Sequence, residues 1–197
     1  AEKLRRDQRY IFCPNHETHL DGLWMWTALG RKAPVLDRIA CLGKQELLEE
    51  RLSHFLFTML GGIPTDRYGN PGVSVIRSIR FINEGNSFLV HPEGTRTRDG
   101  RLGSFKTGAA VISLQTGVPI VPVVIKGGFE IFPSNVKWPR IRSENNRKPV
   151  LEFVFCEPIF PQGKTADEIT ELLRQTISNQ LETPHESTAI HTFYSQN

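Results

Sequence analysis

The chain has 197 residues, 39% apolar and 23% charged, with a net charge of +3 at pH 7. That length supports one sizeable hydrophobic core, and the charge is too mild for a nucleic-acid binder, of which no motif is present. The apolar runs are too short to cross a bilayer as a helix, and no signal-peptide pattern opens the chain.

The first residues, Ala1 to Asp7, are highly charged and lead without preamble into an apolar strand, Tyr10-Ile11-Phe12-Cys13. This abrupt start reads as a fragment or processed form, with any membrane anchor upstream. Leu23-Trp24-Met25-Trp26 opens a helix. Residues 39–42 form a short strand, and Gly43-Lys44-Gln45-Glu46-Leu47 starts a helix to about residue 51. Residues 53–60 are rich in Phe, and suit either a buried helix or a segment facing apolar substrate. Residues 61–67 give a strand and turn ending in Asp66-Arg67. Residues 71–84 carry Val73, Ile76 and Ile79 at helical spacing, with Gly85 as the stop.

A strand over 87–90 leads into His91-Pro92-Glu93-Gly94-Thr95-Arg96. A helix follows over 105–116, ended by Gly117. Residues 118–125 are almost continuously apolar, as in a strand covered on both faces. Another strand spans 150–155. The helix over 165–181 has Thr165 as its cap and acidic residues in its first turn. The tail, 184–197, is polar and loose. Between 133 and 149 a basic stretch (Lys137, Arg140, Arg142, Arg147, Lys148, with Trp138) is either a solvated loop or a surface resting on anionic lipid.

Alternating strands and helices give an α/β fold: one domain over 1–197, a mixed and largely parallel sheet flanked by helices, and a core over about 10–160. The three cysteines, Cys13, Cys41 and Cys156, are scattered and odd in number, which suits reduced thiols in an intracellular compartment.

Chemistry concentrates where strands end. His16 and Asp21 lie five positions apart at a strand-to-helix turn, so the carboxylate can fold back on the imidazole. That fixes one ring tautomer and leaves the other nitrogen free as a general base. A metal reading of His16, His19 and Asp21 finds no further ligand to close it, so no metal is assigned. In an α/β sheet the strand-end loops converge on one edge. Arg67, Arg96 and Lys106 would then stand beside the base and suit a substrate carrying phosphate. Gly94 would let backbone amides approach it. Cys13 and Ser104 are the rival nucleophiles, and His19 the rival base.

Four blocks in order carry a resemblance to the glycerophospholipid acyltransferase family, of the 1-acylglycerol-3-phosphate acyltransferase type. Asn15-His16-Glu17-Thr18-His19-Leu20-Asp21 is similar to its His-x4-Asp block, and Gly62-Ile63-Pro64-Thr65-Asp66-Arg67 to the second. His91-Pro92-Glu93-Gly94-Thr95-Arg96, followed by Phe105-Lys106-x-Gly108, resembles the third, and Val118-Pro119-Ile120-Val121-Pro122-Val123 the fourth. The likeness covers residues 10–160. Two departures stand beside conserved-looking blocks: His91 where such proteins usually carry Phe, and Pro64-Thr65 where an aromatic or aliphatic residue is usual. Both bear on the acceptor more than on the reaction.

The resemblance implies direct acyl transfer from a thioester, acyl-CoA or acyl carrier protein, to a hydroxyl of a glycerol phosphate or lysophospholipid, with no cofactor. His16 is then the base and Asp21 its orienting partner. Arg67, Glu93, Gly94, Arg96 and Lys106 hold the acceptor, and Thr95 with the amides near Gly94 stabilises the oxyanion. Residues 55–60 would line an acyl tunnel or simply pack in the core. Lipid substrates imply a membrane-associated protein facing the cytoplasm. The rival classes are a hydrolase or transacylase using Cys13 or Ser104, and a non-catalytic lipid-binding module.

Overall fold

A computed structural model describes residues 4–5, 8–29, 39–44, 62–65, 71–133, 136, 138–140, 146 and 149–183. Within these, six strands form one sheet. They are β1 (Ile11–Pro14), β2 (Ile39–Lys44), β3 (Gly62–Thr65), β4 (Ser87–Leu89), β5 (Ile120–Lys126) and β6 (Glu152–Phe155), in the order β3-β2-β4-β1-β5-β6. All neighbouring pairs are parallel except β5 with β6. The mixed, largely parallel sheet expected from the alternation is therefore present. The helices are α1 (Asp21–Leu29), α2 (Pro71–Asn83), α3 (Gly108–Thr116), α4 (Gly128–Ile131) and α5 (Ala166–Glu182).

Period-two alternation divides the core between the two faces of the sheet. Ile11, Cys13, Phe88, Ile120 and Val124 join Ile82 of α2, Ala109 and Ile112 of α3, and Ile169, Leu173 and Ile177 of α5. Tyr10, Phe12, Leu89, Val121, Val123 and Ile125 point the other way, toward Met25 of α1. β1 and β5 are buried along their whole length, which explains why both read as unbroken apolar runs.

Local signals set most helix ends. Thr165 caps α5 through a capping box: its side chain accepts the Glu168 N–H, and Glu168 Oε2 accepts the Thr165 N–H at 2.7 Å. Gly117 closes α3 in the left-handed region, φ 69°, with its N–H donating to the Ser113 carbonyl.

Three boundaries differ from the sequence expectation. Gly43 and Lys44 extend β2 instead of opening a helix, because they pair with Pro64 and Thr65 of β3. α3 begins at Gly108 rather than 105, because the Lys106 N–H donates to the Pro92 carbonyl at 2.8 Å and ties that segment to the loop after β4. The strand over 150–155 shortens to Glu152–Phe155 and runs antiparallel. The short α4 had no expectation attached to it. The helix expected to about residue 51, residues 53–60, and the tail over 184–197 lie outside the described residues.

Parallel strands end on one edge, so the loops after β1, β4 and β5 gather there. The β1–β4 register, Phe12 opposite Leu89, carries the residues just beyond β1 alongside those just beyond β4.

Leu173 is 1% exposed and its neighbour Leu172 is 40% exposed. Leu173→Ala should lower stability by roughly 2–5 kcal/mol and Leu172→Ala by about 0.5 kcal/mol at most, measured by urea unfolding.

Candidate active site

The turn between β1 and α1 is built from buried polar residues: Asn15, Glu17, Thr18 and Asp21 are each 7% exposed or less. Such groups are stable inside only when hydrogen-bonded. Asn15 is anchored by both ends of its amide to Ile125 on β5, accepting its N–H at 2.7 Å and donating to its carbonyl at 2.9 Å. Asp21 begins α1 and reaches back over the turn. Its carboxylate accepts the Glu17 N–H at 2.7 Å, the Thr18 N–H at 3.0 Å and the Thr18 hydroxyl at 2.8 Å.

One further contact to Asp21 comes from His16: Nδ1 lies 2.9 Å from Oδ2. The five-residue offset thus does what the sequence suggested. Asp21 is fully buried, while 21% of the His16 side chain is exposed. With Nδ1–H donating to the carboxylate, Nε2 is left as the basic nitrogen.

The loop after β4 clamps His16 from the opposite side. Glu93 Oε1 accepts the His16 N–H at 2.7 Å, and the Thr97 N–H donates to the His16 carbonyl at 2.8 Å. Glu93 Oε2 accepts the Gly103 N–H at 2.8 Å. Gly103 lets the loop approach closely: a Cβ there would sit 2.9 Å from that carboxylate oxygen, which would have to shift. The His91 ring stacks on the His16 ring, with centroids 3.8 Å apart and planes 13° from parallel. Among the described residues no buried side-chain polar atom lacks a hydrogen-bond partner.

The site's charges are shaped by burial. It raises the Asp21 carboxyl, opposed by His91 and by the N–H and hydroxyl donors around it. It also raises Glu93, opposed by the Gly103 and His16 amides. Glu17 is pushed up to about 7 by burial, against the pull of the Phe129 and Gly128 amides. Burial lowers the Arg96 guanidinium while the Asp21 charge raises it, and an arginine so placed stays cationic.

The residues expected to hold the acceptor divide. Arg96 and Lys106 carry no hydrogen bond or ion pair from their side chains among the described residues, so both cations are available to an anion. Lys106 lies across Gly94, where φ is +68° and a Cβ would meet Nζ at 2.9 Å. Thr95 is exposed. Glu93 sits beside the dyad, but each of its oxygens already accepts a backbone amide. The Gly94 N–H donates to the His91 carbonyl at 3.1 Å, which removes that amide from the expected oxyanion donors. Arg67 lies outside the described residues.

The alternatives fare differently. Cys13 is fully buried on β1, and burial pushes its thiol far above the ordinary value, which disfavours a thiolate. Ser104 is exposed with no hydrogen bond to a base. His19 is exposed and is not part of the His16–Asp21 cluster. His91 takes the third place there, with ligand-type atoms of His16, Asp21 and His91 within 4.8 Å of one another. Nearly parallel stacked rings, however, set their in-plane lone pairs side by side instead of aiming them at one ion, and Asp21 already accepts four donors. The donor set does not fit a metal.

Sequence reasoning gave no role to Asn15, Glu17, Thr18 or Thr97 and met His91 only as a departure from the family block. Most of their partners are distant in sequence: Asn15 meets Ile125, Glu17 meets Phe129, and Thr97 and His91 meet the turn after β1, which only the sheet order reveals.

The acyltransferase family model matches residues 1–126. The chain belongs to the acyltransferase family. Among curated members, a 1-acyl-sn-glycerol-3-phosphate acyltransferase of Limnanthes douglasii is 36% identical over 172 residues, 85% of this chain and 56% of that protein. A Haemophilus influenzae enzyme of the same name is 30% identical over 83% of this chain and 63% of that protein. The chloroplastic LPAT1 of Arabidopsis thaliana is 27% identical over 89% of this chain and 46% of that protein. The chain spans about half the length of the curated relatives it matches. The crystal structure of PlsC from Thermotoga maritima, an LPA acyltransferase, shares the fold, with a TM-score of 0.69 and 23% identity over 92% of this chain and 68% of that one.

Glu17 supplies a pH test of the acyltransferase turn. Its folded pKa, about 7, exceeds its ordinary 4.5, so on raising the pH the unfolded chain loses this proton first. Ionisation of Glu17 therefore opposes folding, and its stability contribution falls as pH rises between those values. Urea unfolding should show the wild type losing stability relative to Glu17→Gln over that interval, with the difference constant above it.

Proposed function

We propose that this chain is the catalytic domain of an O-acyltransferase. It moves a fatty acyl group from a thioester, acyl-CoA or acyl carrier protein, to a free hydroxyl of 1-acyl-sn-glycerol 3-phosphate or a related lysophospholipid. The observation that carries this reading is the His16 Nδ1 to Asp21 Oδ2 contact at 2.9 Å, with Asp21 fully buried and the imidazole partly open. A module that only binds lipid has no need of an oriented base. The names of the relatives support the acceptor class.

In this mechanism His16 Nε2 takes the acceptor hydroxyl proton as the oxygen attacks the thioester carbonyl. The C–O bond forms, the tetrahedral intermediate collapses with cleavage of the C–S bond, and the thiolate receives the proton from His16. Asp21 keeps Nδ1 protonated and stabilises the transient imidazolium, as the orienting carboxylate of other His bases does. No acyl-enzyme and no cofactor are required. Arg96 and Lys106 hold the acceptor phosphate, joined by Arg67, while Gly94 gives Lys106 room to cross the loop. Glu93 and Thr97 hold the base in place through its backbone.

The reaction sits at a membrane surface because its acceptor and product are lipids. Among the described residues no helix is long and apolar enough to cross a membrane. Trp138 is 77% exposed within the basic excursion, which suits contact with the surface of a cytoplasm-facing leaflet.

Thiol release from long-chain acyl-CoA should require lysophosphatidic acid and fall on the order of a hundredfold or more in His16→Ala. Acceptor-independent release that survives the substitution would sink the general-base reading. Arg96→Ala and Lys106→Ala should each raise the acceptor KM about tenfold, the loss expected for one charge-assisted phosphate contact, with the thioester KM little changed.

A further inference from the structure

His91 is not explained by the roles assigned so far. Its backbone leaves β4 beside the end of β1, and its ring lies flat against the base. Centroids at 3.8 Å and planes at 13° define a stack rather than a chance approach. The ring is itself anchored from behind: Nδ1 is 3.2 Å from the Pro14 carbonyl and 3.3 Å from the Asn15 carbonyl. Carbonyl oxygens only accept, so His91 Nδ1 carries a hydrogen and points it at the backbone immediately before His16.

The consequence for His16 concerns the plane of its ring. Its backbone is fixed by Glu93 and Thr97, and its Nδ1 by Asp21. The hydrogen bond to Oδ2 fixes the position of Nδ1 but does not by itself fix the plane of the imidazole. A ring stacked on one face fixes that plane and sets the direction of the Nε2 lone pair. Direction matters, because misplacement of a reacting group by an ångström costs up to a hundredfold in rate.

We infer that His91 is a positioning residue for the base, a neutral aromatic plate that fixes the plane of the His16 imidazole. The inference rests on the reading of His16 as the base. Two features favour a plate that stays neutral. The groups facing His91 are His16, whose charge during turnover would repel a second cation, and Asp21, which pulls the opposite way. Burial, with His16 next, holds the His91 imidazole down at about 3. Its aromatic face then lies against the imidazolium formed in turnover, a favourable arrangement for a cation over a ring.

The test uses His91→Leu, which fills the space without offering a ring, and His91→Phe, which restores the ring without Nδ1–H. Under the mechanism above, His91→Leu should lower kcat on the order of tenfold or more with both KM values within about threefold, and His91→Phe should recover most of the loss. Nitrogen-15 NMR of the wild type, independent of activity, should find one histidine locked as the neutral Nδ1–H tautomer from about pH 5 to 8. A wild-type kcat in His91→Leu, a loss confined to KM, a His91→Phe as impaired as His91→Leu, or a His91 that titrates in that range would each overturn the inference. His16→Ala, run alongside, separates the two claims. If it retains activity the base itself is misassigned, whereas a dead His16→Ala with an unaffected His91→Leu removes only the role of the plate.

Discussion

Buried backbone N–H groups have to find acceptors, and at the edge of this sheet carboxylates supply them. Asp21 takes the amides of Glu17 and Thr18, Glu93 those of His16 and Gly103, and Glu17 that of Phe129. Three loops, leaving β1, β4 and β5, are thereby tied into one body. The arrangement concentrates acidic groups in a poorly hydrated place. Its cost is visible in the raised pKa of all three carboxyls, for each of which burial is the largest cause. Two consequences help the chemistry. The buried Asp21 carboxylate accepts the contact from His16 Nδ1, and the cations Arg96 and Lys106 are not drawn into ion pairs with these carboxylates, whose oxygens already hold amides.

Seen this way, the motif over 91–96 has two jobs that sequence alone runs together. Glu93 is buried and holds the backbone of His16. The side chains of Arg96 and Lys106 hold no hydrogen bond or ion pair among the described residues. A residue-by-residue comparison of motifs treats all of these as one binding surface. The distinction is physical: a side chain whose polar atoms already hold amides is structural to the site, and one without partners is available to a ligand.

Much of this was legible in the chain. The His16–Asp21 offset, the strand-to-helix turns and the continuous apolar run that became β5 are local signals, and each gave the right element. Thr165 with Glu168 announced the start of α5 in the same way. What was not legible depended on neighbours in space. Gly43 and Lys44 look like a helix entry until β3 is laid beside them. Lys106 has helical surroundings in sequence, yet its amide is claimed by Pro92. His91 reads as an isolated histidine because its partner lies 3.8 Å away on a loop that only the β1–β4 pairing brings near.

That pairing also governs how the molecule comes into being. β1 has no neighbour of its own among the residues next to it in the chain. Asn15 finds Ile125 at a separation of 110 residues, and His16 finds Glu93 at a separation of 77. Closing loops of this length makes for high contact order and slow folding. During synthesis the amino-terminal strand must therefore wait, apolar and unpaired, until β4 and then β5 have been made. His16 is thus translated well before the strands that supply its surroundings. An assembled His16 site consequently reports the pairing of β1 with β4 and β5, and any folding intermediate lacking β5 exposes β1 as a sticky edge.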